Sequence, residues 1–378
     1  MTEPNKKLTP IPSAKPYFSL TRREKIKNDI DRILSSGQVI MGTFALDLEA
    51  AFAYSTGARY AVSVNSCTTA LQICLRYFDV KGHDVLVPSG SFVSDISAIE
   101  WEGGRPILVD MNPDTLSFDL QDMQRKLTPK TKGMIWVHLT GVISHEYTEI
   151  VRFAKRHGLF LIEDCAHAHG ATIDGRQCGT IGDAGCYSFF ATKLMTSGSG
   201  GMITTADLAL DQFAREVRMF GRSVKTGEPI RIGNDWFLDE VRACIAYHQL
   251  AELDEFLRRR REIAARYFHA LQNQPGLSLL NVPEGSDPAF YQYPVFLDSV
   301  TDNSALCKTL KETYGIAAKR IYTPTHREPF YRHYDDGTLQ KTETTLNRSI
   351  CLPMFYELTN EQADYIASAL ITELRRVR

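Results

Sequence analysis

Between residues 43 and about 245, short apolar runs alternate with helical stretches, and this rhythm limits the fold more than any other feature of the chain. Candidate strands fall at 60–64, 84–88, 106–110, 133–138, 159–163, 185–190 and 201–204. Most are apolar throughout rather than alternating, the pattern of strands covered on both faces. Helical periodicity occupies 69–78 and 149–157, between such runs. A sheet of this kind needs helices above and below it, so the expectation is an open, mostly parallel, seven-stranded α/β sheet.

The flanks read differently. Residues 1–16 are polar and proline-spotted, a loose arm. Thr21 and Glu24 form a capping box, behind which Ile26, Ile30, Ile33 and Leu34 share a helical face up to Ser36-Gly37. Residues 239–272 read as one long, charged helix carrying Arg258, Arg259, Arg260 and Arg261. Glu252, Asp254, Glu255 and Glu262 offset that basic run, which favours a solvated face over a phosphate patch. Beyond it come a strand-like 291–297, a helix near 304–314, and a last helix. The last is opened by a second capping box, Thr359 and Gln362, before Ala363, Ile366, Ala367, Leu370 and Leu374. The expected division is an arm (1–16), a large domain (17–250), and a connecting helix with a small α+β domain (251–378).

Composition removes several functions. The 378 residues carry 43 Lys and Arg against 45 Asp and Glu, a net charge of −2, which gives no footprint for nucleic acid or an anionic membrane. No apolar run approaches the roughly 20 residues of a membrane-spanning helix, and the first 16 residues lack the apolar core of a signal peptide. A cytoplasmic protein is expected. The eight cysteines include no C-x-x-C pair, and Cys74, Cys186, Cys244, Cys307 and Cys351 read as buried thiols.

Three segments carry chemistry. Asn65-Ser66-Cys67-Thr68-Thr69 follows a strand and opens a helix, where N–H groups and hydroxyls can bind phosphate or simply cap the helix. Glu163-Asp164-Cys165-Ala166-His167-Ala168-His169 ends an apolar strand, at the sheet edge where ligands of α/β proteins bind. A metal held by His167 and His169 is one reading of it, without support from any H-E-x-x-H spacing. Ser188-Phe189-Phe190-Ala191-Thr192-Lys193 ends another strand and leads into small residues up to Gly201. A lysine there is either a surface charge or a nucleophile for a carbonyl compound. Phosphate cradle, strand-end carboxylate and lysine together are what pyridoxal 5'-phosphate requires, with the carboxylate keeping the ring nitrogen protonated.

With these blocks in this order the sequence resembles the DegT/DnrJ/EryC1/StrS family of sugar aminotransferases, which have fold type I. The resemblance runs from about Leu20 to the final helix. It includes Val87-Pro88-Ser89, Ser91-Phe92-Val93, Asn112-Pro113-Asp114-Thr115, Gly182-Asp183-Ala184-Gly185, Ser188-Phe189, Thr192-Lys193 and Leu352-Pro353. It implies that Lys193 forms the Schiff base with the cofactor and later shuttles a proton, and that Asp164 pairs with the ring nitrogen. It further implies that His167 lies beside the ring and Phe92 stacks on it. Ser188, Thr68 and the N–H of Cys67 then hold the phosphate, with Cys67 standing where the family has glycine. His138 is either a supporting residue or a packed strand-end histidine. A homodimer with shared active sites is also implied.

The chain departs from the family at three places. Gly233-Asn234-Asp235-Trp236-Phe237 stands where the family has G-x-N-x-R, whose asparagine reaches the phosphate of the neighbouring subunit. Either Asn234 takes that place through a local shift, or the contact is absent. Thr140-Gly141-Val142 replaces an aromatic and glycine, and Ser94-Asp95 replaces Ala/Ser followed by Thr/Ser. Family members with histidine at the lysine position are dehydratases, and Lys193 argues against that branch. The expected activity is transfer of an amino group from glutamate or glutamine to a keto sugar, nucleotide-linked, in amino sugar or antibiotic biosynthesis. The alternatives are a cyclitol or other ring ketone as acceptor, a different reaction on the same cofactor, and a cofactor-binding sensor.

Overall fold

In the computed structural model, which describes residues 10–298 and 303–376, the seven apolar runs form the strands of one sheet. These are β1 (Tyr60–Val64), β2 (Asp84–Pro88), β3 (Arg105–Val109), β4 (Thr131–Val137) and β5 (Phe160–Asp164). After a small hairpin of β6 (Thr172–Ile173) and β7 (Arg176–Gln177) come β8 (Ala184–Ser188) and β9 (Gly201–Thr205). The order across the sheet is β1-β9-β8-β5-β4-β2-β3. Neighbours are parallel except that β9 runs antiparallel to both β1 and β8.

Alternate residues of each strand face opposite layers, so one strand feeds two cores. On β4, Met134 and Trp136 join Leu48, Phe52, Ile150, Phe153 and Ala243. These come from α2 (Thr43–Thr56), α6 (Tyr147–His157) and α8 (Glu240–Leu250); the other helices of this region are α1 (Leu20–Ser36), α3 (Cys67–Tyr77), α4 (Val93–Trp101), α5 (Leu120–Lys126) and α7 (Leu208–Val217). Ile135 and Val137 face the other way, onto Leu71 and Ile73 of α3, Ile96 and Ile99 of α4, and Leu210 and Ala214 of α7.

The register fixes the site. Val137 pairs with Asp164, Asp164 with Cys186, and Ser188 with Gly201, which in turn pairs with Val64. The carboxyl ends of β1, β4, β5 and β8 therefore meet at one edge with the start of β9. Gly201 permits this closeness, because a Cβ there would sit 2.5 Å from the Ser66 carbonyl carbon.

The C-terminal part has an antiparallel sheet of β10 (Leu277–Leu279), β12 (Tyr293–Leu297) and β13 (Ser349–Leu352), with β11 (Ser286–Asp287) pairing instead with β6 of the large domain. Its core takes Ile263, Tyr267 and Leu271 from α9 (Leu253–Leu271), Leu310 from α10 (Ser304–Tyr314), and Ile366 and Leu370 from α12 (Asn360–Arg376). Leu253 and Leu257, at the other end of α9, sit in the large-domain core, so this helix bridges the two. Leu346 of α11 (Gln340–Arg348) also packs into the large domain.

Four expectations change. The stretch 239–272 is two helices, because the chain turns at Ala251-Glu252. The first helix is capped by Ser19, whose Oγ accepts from the Arg22 N–H at 3.2 Å, in place of Thr21; Leu34 lies exposed on it. Residues 1–9 of the arm lie outside the described residues, but Ile11 is buried and bridges to Ile316. The arginine run is not a uniform solvated face. Arg258 and Arg259 pair with Glu262, whereas buried Arg260 donates to the Phe290 and Tyr291 carbonyls at 3.0 and 3.3 Å. The Thr359–Gln362 capping box forms in both directions, at 3.0 and 3.2 Å.

Candidate active site

At the carboxyl edge of the sheet lies a cavity of about 480 Å³. Its floor comes from the three segments singled out above, with Ser66, Cys67, Thr68, Asp164, His167, Ser188, Lys193 and Ser199 among its lining. Its other wall comes from Phe92 and from Tyr291, Lys319 and Tyr322 of the C-terminal part.

The start of α3 forms one end. Ser66 is its N-cap, accepting from the Thr69 N–H at 3.1 Å. The first N–H groups of a helix have no partner inside it, so those of Cys67 and Thr68 stand at its open, electropositive end beside the Ser66, Thr68, Ser188 and Ser199 hydroxyls. Ser188 sits there because β8 ends at that residue, two positions earlier than its apolar run.

Asp164 is the last residue of β5 and is buried. Its Oδ1 accepts the Ala166 N–H at 2.8 Å and the Cys67 thiol at 3.8 Å. Burial raises this carboxyl above the ordinary aspartate range, against the pull of the Ala166 N–H, Lys193 and His138. The Cys67 thiol is itself pushed well up by burial and by Asp164, so it is a neutral donor.

Lys193 lies in the turn after β8, its Nζ 4.6 Å from the centre of the Tyr291 ring. It has no ion pair among the described residues. His167 stacks on Tyr291 with centroids 4.1 Å apart. Burial and Lys193 hold its imidazole well below the ordinary range, hence neutral. Since Nδ1 accepts the Thr140 N–H at 3.3 Å, Nε2 carries the proton and donates to the Tyr322 hydroxyl at 2.8 Å. Phe92 is half exposed and leans on Tyr322, 5.6 Å between centroids.

The remaining sequence candidates lie elsewhere. His138 is buried against Glu163, Nε2 to Oε2 2.8 Å, and does not line the cavity. His169 is buried against Tyr187 and Phe189 and lines a separate cavity with Phe52, so His167 and His169 do not converge on one site. Among the described residues neither belongs to a group spaced to hold a metal. Asn234 is exposed, accepts from the Asp235 N–H at 2.9 Å, and does not line this cavity. Tyr291, Lys319 and Tyr322 were not among the sequence candidates. No local motif marks them, and only the packing of the C-terminal part brings them in.

A cavity at the carboxyl edge of a seven-stranded mixed sheet, with a lysine facing a strand-end aspartate, defines a fold type I pyridoxal phosphate enzyme. The sequence model of the DegT/DnrJ/EryC1/StrS aminotransferase family matches residues 21–371, and the chain belongs to that family. It is 31% identical over 374 residues to the spore coat polysaccharide biosynthesis protein SpsC of Bacillus subtilis, covering 94% of this chain and 96% of that protein. It is 33% identical to the dTDP-4-dehydro-2,3,6-trideoxy-D-glucose 4-aminotransferase of Saccharopolyspora spinosa, covering 89% and 91%. The crystal structure of the aminotransferase TlmJ from Streptoalloteichus hindustanus superposes with a TM-score of 0.90 at 30% identity, covering 97% and 99%. The chain is an aminotransferase that uses pyridoxal phosphate. The donor set suits that group: an unpaired lysine, a buried carboxylate and a hydroxyl-lined helix end share one cavity. Among the described residues no helix is long and apolar enough to cross a membrane.

Proposed function

We propose that this aminotransferase moves an amino group from glutamate or glutamine onto a keto sugar carried on a nucleotide. The observation that carries this reading is the convergence of Lys193, Asp164 and the α3 N-terminus on one cavity roofed by aromatic rings. The Saccharopolyspora relative, whose name specifies a dTDP-linked keto sugar, supports the acceptor class.

Pyridoxal phosphate, when bound, supplies the electron sink through which nitrogen leaves one carbon for another. The chain does the rest. The N–H groups of Cys67 and Thr68, with the Thr68 and Ser188 hydroxyls, hold the phosphate. Asp164 holds a proton on the ring nitrogen by offering a carboxylate in a buried setting. Phe92 and His167, which line the same cavity, would flank the ring. Lys193 would hold the cofactor and supply the amine that moves a proton at the reacting carbon. In a homodimer Asn234 would take the place of the family's asparagine at the partner's phosphate, or that contact is absent.

The test is a half-reaction. Purified protein loaded with cofactor and mixed with glutamate is expected to lose its visible cofactor band and to release 2-oxoglutarate, and glutamine is expected to act likewise if it is the donor. If no amino acid bleaches the band, the transamination reading fails and another reaction on the same cofactor takes its place.

A further inference from the structure

Among the described residues, three places bring His, Cys, Asp and Glu side chains close enough to share a metal ion. Two of them are already filled by the protein itself. In the group of His138, Glu163 and Cys165, the Glu163 carboxylate accepts from His138 and from the Gly179, Ile181 and Gly182 N–H groups at 2.7–2.8 Å. In the group of His326, Asp335 and Glu343, the Arg327 guanidinium holds both acids, at 3.0 and 2.6 Å.

The third is Asp29 of α1 with Cys244 and His248 of α8. Cys244 and His248 are spaced i, i+4, so they stand one above the other on the same helix face, and both are buried. Asp29 meets them from the neighbouring helix, its Oδ2 2.8 Å from His248 Nε2. One ligand atom from each residue lies within 4.8 Å of the other two. Tetrahedral zinc, with bonds of about 2.0–2.3 Å, needs ligand atoms about 3.3–3.8 Å apart, so small side-chain rotations close the shell. The imidazole also has a nitrogen to spare, since His248 Nδ1 is buried without a hydrogen-bond partner. Arg32 pairs with the other Asp29 oxygen at 3.0 Å, but it is 78% exposed and leaves Oδ2 to the site.

We propose that Asp29, Cys244 and His248 form a zinc site that pins α1 to α8, with water as the fourth ligand. The donor set selects the ion, because thiolate sulfur and imidazole suit zinc, whereas magnesium and calcium take oxygen ligands. When the ion binds, the Cys244 S–H bond breaks, a sulfur–zinc bond forms, and the proton goes to water. Thiolate and carboxylate then balance the charge of the ion in a largely buried place. A cavity of about 490 Å³, lined by Asp29, Phe44, Glu240 and Tyr247 among others, gives the ion and the water a way in. None of the three ligands lines the active-site cavity, so the metal site stands or falls separately from the proposed reaction.

Cobalt(II), which takes the same tetrahedral ligands and is coloured, tests it on the holoenzyme freed of metal with a chelator. One equivalent is expected to give the near-ultraviolet charge-transfer band of a cobalt–thiolate bond and the visible bands of a tetrahedral ion, both erased by added zinc. Cys244→Ser is expected to lose the near-ultraviolet band. His248→Ala is expected to weaken cobalt binding by at least about tenfold, the lower end of what changing even a residue behind a metal ligand costs. Absence of the thiolate band from the wild type, or its persistence in Cys244→Ser, overturns the proposal. If Cys244→Ser does not fold, zinc-edge X-ray absorption of the zinc-loaded wild type decides: one sulfur at about 2.3 Å is expected, and a shell of nitrogen and oxygen alone contradicts the site.

Discussion

A single carboxylate sets how strongly the cofactor can draw electrons in the proposed site. Asp164→Asn keeps the size and the Ala166 contact but removes the charge meant for the ring nitrogen. The expected result is retained cofactor with a fall in kcat of about 10²–10³-fold, the scale of losing one aimed electrostatic contact in a dry site. Single-turnover kinetics check it, and near-normal turnover would remove Asp164 from its assigned role. Much at this scale was legible in sequence, because Asp164, His167, Ser188 and Lys193 lie at strand ends within local motifs. Tyr291, Lys319 and Tyr322 were not legible, since they reach the cavity from more than 90 residues downstream and no periodicity marks them. Asn234 entered only through the family resemblance, and it does not line this cavity.

At the scale of elements, a buried ion pair ties α2, β1 and α7 together beside the sheet edge. Glu49 of α2 accepts from Arg218 at 2.5 Å, from Arg215 at 2.7 Å, and from the Ser63 N–H of β1 at 3.0 Å. Arg218 also donates to the Ser63 carbonyl at 2.6 Å. Burial alone would raise the Glu49 carboxyl, but the two guanidinium groups outweigh it and hold it below the ordinary range. Its contribution is therefore complete above the unfolded value and is lost as pH falls from about 4 through the folded value. Glu49→Ala leaves Arg218 buried and unpaired, so it is expected to destabilise by about 3–5 kcal/mol at pH 7. Denaturant titrations at pH 7 and pH 3 check both parts: the variant's deficit is smaller at the lower pH. Strand positions were readable to within two residues because apolar runs dictate them. The break at Ala251-Glu252 was not, since both residues are acceptable inside a helix and the turn is imposed by packing α8 and α9 on different partners.

At the scale of the whole molecule, apolar side chains remain uncovered between α7 and α8. Ile232 is 86% exposed, with Phe220, Val224 and Ile230 about half exposed along the same segment that carries Asn234. A cluster of this kind, continuous with a residue assigned to a neighbour's site, supports a two-fold dimer covering it. Light scattering is expected to give twice the 42.6 kDa chain mass. Ile232→Glu should shift the protein toward monomer and lower activity together with it. A monomeric wild type with full activity would contradict the shared site. The net charge of −2 fits a protein in which the proposed phosphate contacts are local, from N–H groups and hydroxyls.

The most direct measurement is chemical. The cavity contains two lysines, Lys193 from the large domain and Lys319 from the C-terminal part. Borohydride reduction of the cofactor-loaded protein, followed by peptide mass mapping, shows which one carries pyridoxal phosphate. The label is expected on Lys193 and absent from Lys193→Ala. A label on Lys319, or none on either, would contradict the proposed active site.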